Sequence, residues 1–166
     1  MHFDLKPISV ESIPEALARV ERYRLLNEPS QAESICLDIL TTAPVHQQAL
    51  IALLLARTDQ FGGEMNVAKA REVLPQIKGD YERAYYAGII SERSAHAHLR
   101  QGGPGSASFA FHALREAMEH FERAEVLRPP GNDDAILRWN TCARVIMGNP
   151  EIRPLPYEAF QPITGE

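Results

Sequence analysis

The chain has 166 residues, 45% of them hydrophobic, 7% aromatic and 23% charged, which suits one folded domain with a substantial core packed mainly through Leu, Ala and Ile. A net charge of -5 and a pI near 5.7 argue against a nucleic-acid partner, because affinity for phosphate comes from clustered Lys and Arg. The longest apolar run, Ala49 to Ala56, is too short to cross a bilayer, and the start MHFDLKPISV lacks a basic region followed by an apolar core, so no membrane partner is expected and the chain reads as cytoplasmic.

Residues 1–11 carry no sustained period and read as an N-terminal arm. Ser12 followed by Pro14 and Glu15 is a helix-start signal: Ser accepts a backbone N–H, Pro loses no needed donor, and Glu meets the positive end of the dipole. The first helix runs to about Asn27, with Ile13, Leu17, Val20 and Leu25 at helical spacing. After the break Asn27-Glu28-Pro29-Ser30, a second helix through Leu40 carries Ala32, Ile35, Cys36 and Ile39 on one side. QQALIALLLARTDQF then predicts a helix apolar nearly all round, ended by Phe61-Gly62-Gly63, with a partner helix from about Met65 to Lys78 that contains Pro75.

Asp80 is placed to cap DYERAYYAGIISERSAHAHLRQ, whose small residues Ala84, Ala87, Gly88 and Ser91 form one face. The stretch QGGPGSAS reads as a linker, since no strand precedes it and no Gly-Lys-Ser/Thr follows. A long helix follows to Leu127, then a last one over AILRWNTCARVIM with Trp139 as a large filler. Residues 148–166 hold four prolines and read as an extended tail, yet Ile152, Leu155, Tyr157, Phe160 and Ile163 must be covered, either by the protein's own surface or by a second copy in a homodimer. The domain division is therefore 1–11 arm, 12–147 helical domain, 148–166 tail. Cys36 and Cys142 lie in apolar helical patterns without CxxC spacing and read as buried free thiols.

One pattern recurs. Ala117, Phe121, Ala124 and Pro129 stand at offsets of zero, four, seven and twelve, and Ala32, Cys36, Ile39 and Pro44 repeat those offsets with Tyr23 nine residues ahead of Ala32. This ladder resembles the second helix of a tetratricopeptide repeat. A degenerate middle copy offers Ala70, Leu74 and Ile77. The resemblance implies an all-α fold of about seven helices: three antiparallel hairpins stacked as a short right-handed superhelix, plus a capping helix. It also implies that the first helix of each pair lines a concave groove for a peptide or helix of another protein. Leu17, Glu21 and Arg24 would line it from the first pair, Gln48, Ile51 and Leu55 from the second, and Tyr85, Ile89, Glu92 and Arg93 from the third. Leu17 and Glu21 stand where carboxylate-clamp members of the family use Lys and Asn, so that specificity is not expected.

The implied function is a noncatalytic adaptor or chaperone with no cofactor and no metal. Two alternatives stand beside it. One is a structural homo-oligomer assembled through the tail. The other is a small helical metalloprotein or enzyme using His112, Glu116 and His120, which recur every four residues along one stripe. His96 and His98 point about 200° apart on a helix, so they do not chelate together and read as surface positions. Glu82, Glu92 and Arg93 are candidate active-site groups for a helical enzyme, but no GxSxG or HExxH motif accompanies them.

Overall fold

The computed structural model describes residues 1–63 and 67–155. Over these residues the protein is all-α, with seven α-helices, antiparallel contacts between chain neighbours and no sheet. The helices fall into two compact units, Met1–Gly79 and a second beginning at Asp80.

In the first unit, α1 (Ile13–Leu25), α2 (Pro29–Thr42) and α3 (Gln47–Asp59) follow one another through short turns. Pro14 sits in the first turn of α1 and Pro29 opens α2, where the missing N–H costs nothing. Ser12 does not cap α1 as expected: its hydroxyl donates to the Ser9 carbonyl at 2.8 Å, within a 3-10 turn over Val10–Ser12. The α1–α2 turn places Asn27 at φ +59, a conformation Asn tolerates, and Glu28 N–H returns to the Tyr23 carbonyl at 2.9 Å. Val20 of α1 and Ala32, Cys36 and Ile39 of α2 are fully buried with Ala49, Leu50 and Leu54 of α3. Two ion pairs tie helix ends together, Arg24 to Asp59 at 2.6 Å and Arg57 to Glu33 at 2.9 Å, and the Gln60 amide donates to the second Glu33 oxygen at 2.7 Å.

The continuous helix expected over 65–78 does not form. A short α4 (Val67–Arg71) gives way to a 3-10 turn over Leu74–Gln76, because Pro75 cannot supply the next intrahelical donor. Residues 64–66, where that helix was expected to begin, lie outside the described residues.

The second unit pairs α5 (Asp80–Gln101) with α6 (Ser106–Leu127) and lays α7 (Asp134–Gly148) on α6. Asp80 is the first residue of α5 rather than a cap before it, and its carboxylate pairs with Arg83. Gly88 decides how closely the long helices approach. A Cβ there would lie 2.5 Å from the ring of Phe121, so only glycine admits the crossing. Ala110, Leu114, Ala117, Phe121 and Ala124 are fully buried on α6, with Met118 nearly so. The linker shrinks to four residues, 102–105, with Gly102, Gly103 and Gly105 all at positive φ. After α7, Ile152 is 6% exposed and its N–H bonds the Asn149 carbonyl at 2.9 Å, so Ile152 is covered by the protein's own surface, whereas Leu155, also expected to be covered, is 50% exposed. Tyr157, Phe160 and Ile163 lie outside the described residues.

Candidate functional site

The residues assigned to a groove divide by burial. In the first unit, Glu21 and Gln48 are exposed, while Leu17, Ile51 and Leu55 are half-buried. Arg24 is half-buried and held by Asp59. On α5, Tyr85 and Arg93 are half-buried, but Ile89 and Glu92 are only 1% and 3% exposed. The expectation that Ile89 and Glu92 present an open surface is therefore corrected. The physical reason lies in the middle of α5, where the consecutive residues from Gly88 to Glu92 are all buried; five in a row go round the whole helix, so no side of that segment faces water.

Burying a carboxylate demands a counter-charge, and α7 supplies it. Arg138 Nη1 stands 3.4 Å from both oxygens of Glu92. Burial works against the charge of Arg138, but Glu92 and a hydrogen bond that Arg138 donates to Tyr85 outweigh it and hold its pKa above the ordinary arginine value. Tyr85 is also the centre of an aromatic group, stacked on Tyr81 at 5.8 Å, edge-on to Tyr86 at 5.2 Å and tilted against Phe121 at 5.8 Å. Burial raises the pKa of both Tyr81 and Tyr86. Beside this group, burial and then the charge of Glu92 push the Cys142 thiol up to about 12, and burial does the same to Cys36 in the first unit. Protonated thiols are poor nucleophiles and poor metal ligands. Glu92 and Arg138 thus neutralise each other as a brace between α5 and α7.

The metal stripe does not assemble either. Glu116 Oε1 is 3.9 Å from His120 Nε2, but Nδ1 of the same ring faces the Arg123 guanidinium, a cation that opposes another. His112 is exposed, and among the described residues no group of three His, Cys, Asp or Glu is placed to hold an ion. His96 and His98 are half-buried rather than surface residues: His98 Nδ1 lies 2.9 Å from the Ser94 carbonyl and its ring stacks on Phe109 at 3.6 Å.

Among the described residues of the second unit, clefts open at both ends of α7. One, of about 420 Å³, is lined by Leu99, Ala107 and residues 149–152 of the tail. The other, of about 300 Å³, lies between α6 and α7 and is lined by Glu122, Glu125, Ile136, Trp139 and Asn140. Its indole N–H donates to Glu122 Oε1 at 2.9 Å. Treating Trp139 only as a filler missed this cleft, because its walls come from two separate helices. No described helix is long and apolar enough to cross a membrane.

Compared with protein-family models, with curated proteins and with solved structures, the chain matches none of them.

Proposed function

We propose that the chain is a noncatalytic protein-interaction module of tetratricopeptide-like hairpins, an adaptor or chaperone that holds a peptide or helix of another protein along the first helices of its pairs. One observation carries the reading. The two ladders that suggested the repeat, Ala32–Cys36–Ile39 in α2 and Ala117–Phe121–Ala124 in α6, are all 0% exposed, each against an antiparallel neighbour. Small residues at these offsets let a neighbouring helix approach, and the Gly88–Phe121 crossing is such an approach. In a stacked superhelix of this kind the first-helix residues Leu17, Glu21, Gln48, Ile51, Leu55, Tyr85 and Arg93 would meet the partner, with apolar contact supplying affinity and charge supplying selectivity. Two buried, protonated thiols suit a reducing compartment, in keeping with a cytoplasmic setting.

The test uses positions whose replacement leaves the core alone. Glu21 and Gln48 are exposed, so the double variant Glu21→Arg, Gln48→Arg should keep the helical circular dichroism of the wild type. A photo-cross-linking residue at either position identifies a partner by mass spectrometry, and calorimetry with that purified partner measures affinity. Binding weakened about tenfold or more in the double variant supports the groove. Unchanged binding, or cross-links that never form at positions 21 and 48, rejects it.

A further inference from the structure

The cleft between α6 and α7 has a chemistry that a groove along the first helices does not use. Glu122 and Glu125 are three residues apart on α6, so their carboxylates stand one turn apart on one wall. Ile136, Trp139 and Asn140 share a face of α7 and make the opposite wall. The hydrogen bond from Trp139 Nε1 to Glu122 Oε1 at 2.9 Å fixes the indole in place. The α6 wall continues at Val126, which is 86% exposed. Nearby, Arg128 stands 3.7 Å from Glu125 and 3.4 Å from Asp133, so two carboxylates share this guanidinium while Glu122 accepts only the neutral indole N–H, and the three carboxylates outnumber that one cation.

We infer that this cleft receives an arginine side chain from a partner protein, an inference that rests on the interaction-module reading. A cleft of about 300 Å³ accepts one long side chain more readily than a cofactor. Its occupant must offer an aliphatic stem to Ile136 and Trp139 and a cationic head to Glu122 and Glu125. Lysine and arginine both meet that requirement, but a planar guanidinium also stacks on an indole and bonds a carboxylate through two N–H groups, whereas an ammonium does neither. Arginine is the better fit on both counts.

Because Trp139 is the chain's only tryptophan, its emission reports on the cleft directly. The full chain is titrated with the peptide acetyl-Ala-Leu-Arg-Leu-Ala-amide and with its citrulline counterpart, which has nearly the same shape and no charge. The expected result is a saturable change in emission with the arginine peptide, binding at least about fivefold tighter than citrulline and weakening as salt is added. The double variant Glu122→Gln, Glu125→Gln keeps a carbonyl to accept the indole N–H, so the fold and the emission of the unbound protein should be preserved. It should weaken the arginine peptide about tenfold and leave the citrulline peptide unchanged.

Equal responses to the two peptides, or no response to arginine up to about 10 mM, would overturn the inference. So would a dimer of the wild type in sedimentation that the double variant abolishes, because a second copy would then be the occupant. Failure here with partner cross-linking at Glu21 and Gln48 intact overturns the cleft alone. Arginine binding without such cross-linking supports the cleft and rejects the groove.

Discussion

The first unit builds its core from helices of 13, 14 and 13 residues, and the second from two of 22 residues and one of 15. The two lengths bring different means of holding helices together. Short helices have a large share of their residues near their ends, and the first unit ties those ends by polar contacts: Arg24 to Asp59, Arg57 to Glu33, Gln60 to Glu33, and Arg57 Nη1 to the Lys69 carbonyl at 2.7 Å. The long pair in the second unit relies instead on a glycine-and-alanine crossing closed by one phenylalanine ring, with the pairing of buried Glu92 to part-exposed Arg138 bracing it to α7. Where the contact surface is long, apolar packing suffices. Where it is short, side-chain ties at the rim supplement it.

The largest expected effect breaks the crossing itself. Phe121→Ala should destabilise the second unit by about 4 kcal/mol, and Ile39→Ala the first by about 3 kcal/mol, in each case because a fully buried side chain leaves a cavity. Hydrogen exchange localises each loss to its unit, and loss spread evenly over the whole chain would argue against two distinct cores. A sharper form uses Gly88. Alone, Gly88→Ala forces a methyl to 2.5 Å from the Phe121 ring and should cost about 2 kcal/mol. In the Phe121→Ala background that clash is gone and alanine is the better helix former, so the same change should become neutral or slightly stabilising. Denaturant melts of the four proteins give the coupling; purely additive effects would mean that the ring does not set the crossing.

The next effect compares the two buried thiols under alkali. Both have folded pKa values pushed by burial from an ordinary 9.0 to about 12. Each is therefore protonated when folded, while the unfolded thiol ionises near 9.0, so stability is full below that pH and falls as pH rises towards 12. A shift of this size corresponds to roughly 4 kcal/mol per thiol at its limit, and about 1.4 kcal/mol of it is lost by about pH 10. Tyr86, also raised by burial, adds a further loss at higher pH to the second unit only. Urea melts at about pH 8 and about pH 10 should show the loss in wild type and a flatter dependence in Cys36→Ala and Cys142→Ala. An unchanged slope in both variants would sink the assignment.

Much of this architecture was legible from periodicity. The helices over α1, α2, α3, α5, α6 and α7 follow from apolar spacing bounded by Pro, Gly and Asn, and the ladder Ala117–Phe121–Ala124 marks a fully buried face of α6. Failures came where tertiary context overrode local chemistry. Pro75 was visible as a helix breaker, but not that the described part of the helix in front of it would end at Arg71. Glu92 carries a charge that places it at the surface by residue type; Arg138, 46 residues on, is what permits its burial, and no local pattern announces that pairing. The α6–α7 cleft was hidden for the same reason, because its walls come from separate helices.

The smallest effect lies in the turns, and there too the units differ. The first turns α1 into α2 through Asn27 at φ +59, whereas the second turns α5 into α6 through Gly102, Gly103 and Gly105 at φ +68, +98 and +80. A Cβ built at Gly105 would meet no atom within 4 Å, so any penalty for a side chain there is backbone conformation alone. Gly105→Ala should therefore cost about 1 kcal/mol, and Gly105→Asn less, since asparagine enters the left-handed region more readily. In the first unit Asn27→Ala should cost about the same, and Asn27→Gly should be close to neutral. In thermal melts a change of this size moves Tm by about 2–4 °C. Equal costs for alanine and asparagine at position 105 would mean that the loop's neighbours, rather than its dihedral angles, select glycine, and that the two turns differ in more than the residue that fills the left-handed position.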